Sequence, residues 1–225
     1  MSELSQSGRL RTKLRLAEPR LAEVARRFWM QPRLAEAYPD FLFLVHSMIR
    51  TSVPLMREAA EVARGLAPAD ASGAPLAAYY ERHAREEMHH DEWVLDDLAA
   101  LGVGRDEVLA RRPSTAVAAL VGAHYYWVRH VHPVALLGYL AVLEGNPPDE
   151  GHLDDVRRRT GLPEAAFRTL KLHAHLDQQH RDDLWDEIDR LPLTPDAAGL
   201  LAVAAFHTIE QVSLGLEEIL ARHGG

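Results

Sequence analysis

The hydrophobic and polar positions along the chain follow a helical repeat. Apolar residues return every three to four positions over long stretches, which is the period of an amphipathic α-helix. No stretch alternates apolar and polar residues as a β-strand would, and no unit of twenty to fifty residues repeats. The pattern predicts an all-α protein with helices at roughly 18–37, 40–65, 74–101, 114–144, 163–190 and 196–222, and a short helix around 150–159.

Prolines indicate where several of these helices begin or break. Thr194, Pro195 and Asp196 form a typical helix start, with a capping hydroxyl, a proline at the first position and an acid in the first turn. Pro54 and Pro133 fall inside predicted helices. Because proline lacks an amide proton and its ring crowds the preceding turn, we expect a kink or break at both positions.

Three ionisable residues occupy core positions of the predicted helix 163–190. His173, Asp177 and His180 are spaced i, i+4 and i+7, so they share one helix face. A buried carboxylate is costly unless it is paired or binds a metal. These residues therefore predict half of a metal site, and the alternative is a salt-bridged network with arginines such as Arg129 and Arg168. The other members of this face are apolar, namely Ala166, Leu170, Leu184 and Leu191.

A second set of candidate ligands lies in the predicted helix 74–101. Glu87 and His90 have the E-x-x-H spacing of carboxylate-bridged two-metal sites in helix bundles. Glu86 and His89 have the same spacing on another face, which the register places outside. His83 lies one turn before Glu87 and is a candidate extra ligand or a partner of the ligands. The core line of this helix reads Leu76, Tyr80, His83, Glu87, His90, Val94, Asp97 or Leu98, and Leu101.

A sixth candidate ligand ends a buried apolar run. Glu144 follows the segment 134–143 and is in register with Leu137 and Leu140, so we expect it to face inward unless it is a solvated helix end. Three histidines and three carboxylates suit iron or manganese, and the sequence contains no cysteine that could supply a soft thiolate. Elsewhere, Arg50, one turn after His46, is a candidate to hold a substrate carboxylate.

Composition limits the classes of protein that the chain can represent. Its 225 residues suffice for one well-buried core, so we expect a single helical domain over 1–225 with the metal site within about 80–185. The net charge of -8 argues against a nucleic-acid partner. The first residues lack an apolar signal core and the longest apolar run is short for a bilayer, so we expect no membrane partner and a cytoplasmic location.

The candidate ligands resemble those of a known family. The E-x-x-H pair, Glu144 after its apolar helix and the H-x3-D-x2-H element are similar to those of the heme-oxygenase-like diiron oxidases and oxygenases. The segments from Arg85 to Trp93 and from Leu137 to Glu144 add to the resemblance, which covers roughly residues 40–190. The H-x3-D-x2-H element is specific in its helical setting, whereas E-x-x-H alone is weak.

The resemblance implies a compact bundle of about seven helices that holds two irons without haem. It further implies that O2 is used to oxidise or fragment a small amino-acid, amine or carboxylate substrate in secondary metabolism. The resemblance leaves open whether the protein uses an external electron donor and whether it forms a homodimer. Some members carry an additional Glu one or two turns before the E-x-x-H His, and this chain has His83 there. The implied iron ligands are Glu87, His90, Glu144, His173, Asp177 and His180.

Other classes of helical protein are weighed against this one. Thiaminase-type relatives share the bundle but use a nucleophilic cysteine, which the sequence lacks. A cofactorless oxidase similar to pyrroloquinoline-quinone synthase would not need Glu144 or Asp177. Haem oxygenase needs an axial histidine near the amino terminus and a glycine-rich distal helix, and ferritin-like proteins need two E-x-x-H elements. A small-molecule-binding helical protein would leave the six polar core residues unexplained.

Overall fold

The computed structural model describes residues 4–67, 69–145 and 149–224, and these ranges contain helices and no β-strand. Within these ranges there are ten α-helices, more than the expected number of about seven. A 3₁₀ helix, Glu164–Phe167, leads directly into α9. The α-helices are α1 (Gln6–Met30), α2 (Leu34–Leu66), α3 (Gly73–Glu86), α4 (His90–Ala100), α5 (Arg105–Ala110), α6 (Thr115–His130), α7 (Ala135–Leu143), α8 (Glu150–Thr160), α9 (Arg168–Arg190) and α10 (Pro195–His223).

Several helix starts follow from side chains that cap free amide groups. The Thr194 side chain accepts a hydrogen bond from the Ala197 amide, and Pro195 is the first residue of α10, so this predicted start is confirmed. Ser114 caps α6 in the same way, and Asp149 caps α8. These residue types stabilise a helix start because their oxygens accept hydrogen bonds from amides that have no partner within the helix.

The two prolines inside predicted helices behave differently. The chain does break at Pro133, where α6 ends at His130 and α7 begins at Ala135. At Pro54 the chain does not break, because α2 continues from Leu34 to Leu66. Pro54 and Arg50 are both exposed, so the carbonyl that loses its helical hydrogen bond lies on the solvent side of α2. The buried side of α2 packs along α3, α4 and α6, which supports its helical course.

Other boundaries also differ from the predicted ones. The first helix covers Gln6–Met30 instead of 18–37, and α5 was not predicted. The predicted helix 74–101 is two helices, because α3 ends at Glu86 and α4 begins at His90. His89 has a φ of 72°, in the left-handed region that non-glycine residues seldom adopt. The continuous register used for Glu86 through His90 therefore does not apply.

Helices α2, α7 and α10 supply many of the buried side chains of the core. At the crossing of α7 and α10, a β-carbon added to Gly138 would lie 2.4 Å from the Leu201 carbonyl oxygen, so only glycine permits this approach. Helix α10 is long and apolar enough to cross a membrane by length and composition. Its packing on α1, α6 and α7 is that of a core helix in a bundle, and the structure gives little evidence of a membrane protein.

Candidate metal centre

The seven predicted site residues lie where helix ends meet α9. Glu87 directly follows α3, and His90 is the first residue of α4. Glu144 directly follows α7. His83 is on the last turn of α3. All of these side chains are buried, as are Asp177 and His180 on α9, and His173 is half-buried.

One group of potential ligands combines α3, α4 and α9. Glu87, His90 and His173 each offer an atom within 4.8 Å of the others. Glu87 Oε2 lies 3.0 Å from His90 Nδ1, and the centres of the His90 and His173 rings are 5.1 Å apart. A carboxylate and two imidazoles within this distance of one another can bind a first-row transition metal ion.

A neighbouring group contains a residue that the sequence reasoning placed outside. His83, Glu86 and His180 also offer atoms within 4.8 Å of one another. Glu86 Oε2 is 3.5 Å from His83 Nδ1 and 3.9 Å from His180 Nε2, although the Glu86 side chain is 39% exposed. The prediction that Glu86 lies outside the site assumes one continuous helix over 74–101. Its spacing of three from His83 on α3 was the local signal that could have included it.

Glu87 joins the two groups. Its Oε2 atom faces His90, and its Oε1 atom lies 3.4 Å from His180 Nδ1. Asp177 Oδ1 lies 4.0 Å from the same His180 nitrogen, and Glu144 Oε1 lies 2.9 Å from His83 Nε2. The structure thus brings all seven predicted residues into one cluster, in which one carboxylate faces both groups of histidines.

Five buried atoms in this cluster form no hydrogen bond of normal geometry within the described ranges, although His90 Nδ1 lies 3.0 Å from Glu87 Oε2. A buried polar atom without a partner costs about 1–3 kcal/mol, and such atoms are rare in folded proteins. Five in one cluster fit a site built to bind metal, because nitrogen and oxygen lone pairs are what a metal ion would engage. The donors suit iron or manganese. The atoms are Glu87 Oε1, His90 Nδ1, Glu144 Oε2, Asp177 Oδ1 and His180 Nδ1.

Burial and mutual charge set the protonation of the cluster. Burial raises the pKa of the Asp177 carboxyl to about 8, and the charges of Glu144 and Glu87 add to this rise. Burial opposes a charge on His83, but Glu144 and Glu87 outweigh it and hold the pKa of His83 at about 9. Burial lowers the pKa of His173, which favours its neutral form. Asp177 and His83 therefore hold protons near neutral pH that a metal cation would displace.

His173 is oriented by a chain of hydrogen bonds that the sequence did not reveal. Its Nδ1 atom lies 2.9 Å from the Thr169 carbonyl oxygen and must carry the proton there, which leaves Nε2 free to bind a metal. The Thr169 amide donates to Asp97 Oδ2 at 2.9 Å. Asp97 is fully buried on α4, so it ties the first turn of α9 to the helix that carries His90. Partners of this kind fix the orientation of metal-binding histidines.

Comparison with solved structures defines the class of fold. A domain of unknown function with a heme oxygenase-like fold from Shewanella denitrificans OS217 has a TM-score of 0.81 at 15% identity, and the match covers 99% of this chain and 95% of that one. A TenA homolog from Pseudomonas syringae pv. tomato DC3000 has a TM-score of 0.69 at 15% identity, with coverages of 94% and 92%. A CADD-like protein of unknown function from Nostoc punctiforme PCC 73102 has a TM-score of 0.68 at 16% identity, with coverages of 95% and 98%. The protein has the heme-oxygenase-like fold, which confirms the all-α expectation.

Sequence comparison then gives the family. The family model described as iron-containing redox enzyme matches residues 44–211, which is most of the chain. The chain therefore belongs to the iron-containing redox enzyme family, and the predicted resemblance is confirmed at that level. No curated protein matches the sequence.

Proposed function

We propose that the protein is a non-haem diiron oxidase or oxygenase that uses O2 to oxidise or fragment a small amino-acid, amine or carboxylate substrate. The observation that carries this proposal is the position of Glu87, whose two oxygens face His90 on one side and His180 on the other. A carboxylate between two groups of histidines can hold two metal ions close together. Membership in an iron-containing redox family supports iron over manganese.

The ligands divide between two irons by their positions. His90 and His173 would hold one iron, and His180, Asp177 and Glu144 would hold the other, with Glu87 shared. His83 and Glu86 lie on the side of His180, so they are further candidates for the second iron. Iron bound in such a site would supply the electrons that O2 activation requires, while the protein would supply ligands in largely buried surroundings. The proposal includes two kinds of small partner, a substrate and an external electron donor. It also includes assembly of the chain into a homodimer.

The protein's own residues have three tasks in this proposal. The Asp97–Thr169–His173 chain of hydrogen bonds orients one imidazole. Burial of the cluster excludes bulk water, which strengthens its electrostatic interactions. Asp177 and His83 hold protons in the metal-free protein, which reduces the repulsion between buried carboxylates. Metal cations would displace these protons, and the site would then carry the negative charge that favours metal binding. A cofactorless enzyme of this fold would leave the five unpartnered atoms unexplained.

Anaerobic loading with Fe(II) tests the proposal. Wild type should bind up to two irons per chain, and His173→Ala and His180→Ala should each lose at least one. His175→Ala is the matched control, because His175 is on α9 between them but its side chain is 73% exposed and pairs with Glu150. Loaded wild type should then consume O2 when an amine, amino acid or carboxylate from a substrate panel is added. Full iron content in both site variants would refute the assignment.

A further inference from the structure

One of the cavities in the described ranges lies between α2, α5 and α6, apart from the metal centre. Its volume is about 310 Å³, at the lower end of the range for small-molecule sites. None of the predicted metal ligands lines it. We name it the α2–α6 cavity, and its walls include Phe43, His46, Arg50, Arg111, Val117 and Val121.

The polar groups of the α2–α6 cavity are cationic or neutral. No carboxylate is among its lining residues in the described part of the chain, although the protein carries a net charge of -8. Arg111 is engaged by Asp40 and lies over the Phe43 ring, with 4.2 Å from its guanidinium carbon to the ring centre. Arg50 is exposed and forms no ion pair with any residue in the described ranges. Its guanidinium is therefore available to an anion.

A buried imidazole adds a second polar group to this cavity. His46 is 2% exposed, and its Nε2 atom has no hydrogen-bond partner within the described ranges. It precedes Arg50 by one turn of α2, so the two side chains lie on the same face of that helix. A buried nitrogen without a partner beside an unpaired arginine is what an anionic ligand would satisfy.

The remaining walls of the cavity are apolar, which indicates the character of the rest of the ligand. Phe43, Val108, Pro113, Val117 and Val121 present carbon surface. A cavity of this kind, with the Arg50 guanidinium among carbon walls, fits a molecule with an acidic head and an apolar body. We propose that the α2–α6 cavity binds a small amphipathic carboxylate, with its head at Arg50 and its body against α5 and α6. This site does not depend on the proposed diiron chemistry.

Octanoate, titrated into metal-free wild-type protein by calorimetry, is the probe for this proposal. Octanoate should bind saturably, whereas octylamine, which has the same chain and the opposite charge, should not. Arg50→Gln should weaken octanoate binding about tenfold or more, because a charge-assisted contact is lost. Arg27→Gln on α1 is the control, since Arg27 is an exposed arginine far from the cavity walls in sequence, and it should bind octanoate as wild type does.

A filled cavity gives an independent test. Ala118 lies at the exposed edge of the cavity on α6, so Ala118→Trp should block binding with little disturbance of the core. No saturable octanoate binding to wild type would overturn the inference, as would equal affinity in wild type, Arg50→Gln and Ala118→Trp. Because the titration uses metal-free protein, failure of iron loading would leave this result standing, and the two proposals can fail separately.

Discussion

Metal binding should release protons from the buried cluster. In the metal-free protein, the pKa of Asp177 is about 8, mainly through burial and the nearby carboxylates. The pKa of His83 is about 9, because Glu144 and Glu87 outweigh the effect of burial. At pH 7 the protonated fractions are then about 0.9 and about 0.99. Because a metal cation favours the deprotonated carboxylate and imidazole, loading at pH 7 should release about two protons, one from each residue.

The pH dependence of metal affinity follows from these two groups. For each group that loses its proton on metal binding, affinity rises about tenfold per pH unit as long as the pH is below the pKa of that group. With two such groups, metal affinity should rise about 100-fold from pH 6 to pH 7. The gain should shrink above pH 8 and end above pH 9, where neither group holds its proton. The stability of the metal-free protein changes with pH in the opposite direction, falling as pH rises. Both groups have a raised pKa in the folded state, so the stability that Asp177 contributes is lost as pH rises from about 4 to about 8, and that of His83 as pH rises from about 6.5 to about 9.

Calorimetry can count the protons directly. Co(II), which O2 does not oxidise readily, should be titrated at pH 7 in two buffers with different ionisation enthalpies. The difference in heat gives the number of protons released. Asp177→Asn should reduce that number by about one and halve the pH slope, and His83→Gln should do the same, while His175→Ala should match wild type. Metal binding to wild type with no net proton release would refute this account of the cluster.

Four further predictions concern Asp97, His89 and Gly138. Asp97→Ala should lower the free energy of unfolding by about 1–3 kcal/mol and weaken Co(II) binding, because the Thr169 amide loses its acceptor. Asp97→Asn should keep an acceptor oxygen and restore Co(II) affinity. Equal Co(II) affinities in wild type and both variants would contradict a role of Asp97 in orienting His173. Burial raises the pKa of Asp97 to about 6, so wild type should lose stability from about pH 4 to pH 6 through this group, and Asp97→Asn should flatten that part of a thermal-melting profile. His89→Gly should raise stability by up to about 1 kcal/mol with unchanged iron content, since His89 has a φ of 72°; a lower melting temperature would show that the side chain itself contributes. Gly138→Ala should destabilise the protein by several kcal/mol in urea unfolding, because its new methyl would lie 2.4 Å from the Leu201 carbonyl oxygen, and an unchanged midpoint would mean that α7 and α10 separate easily.

Some features of the fold and candidate site could be predicted because they are local. The spacing of His173, Asp177 and His180 places them on one face of any uninterrupted helix, and α9 is uninterrupted there. Thr194 fixes the start of α10 through a bond to an amide three residues away. Asp177 and His180 are buried and His173 is half-buried, in agreement with the periodicity. Their assignment as iron ligands stays a prediction until metal content is measured.

Other features depend on contacts between distant segments. Pro54 and Pro133 are the same residue type, yet only the second interrupts its helix, because the neighbours of α2 support it along its buried side. The left-handed turn at His89 ends the register of α3, so helical spacing could not show that Glu86 reaches His83 and His180.

The contacts that complete the site are also distant in sequence. Glu144 meets His83 across 61 positions, and Asp97 meets the Thr169 amide across 72. Periodicity specifies which face of a helix is buried. It does not specify which other helix covers that face, because that choice depends on the combined packing of side chains from several helices. The sequence by itself therefore determined the types of candidate ligand and the register of α9, and the tertiary structure decided which of those side chains meet.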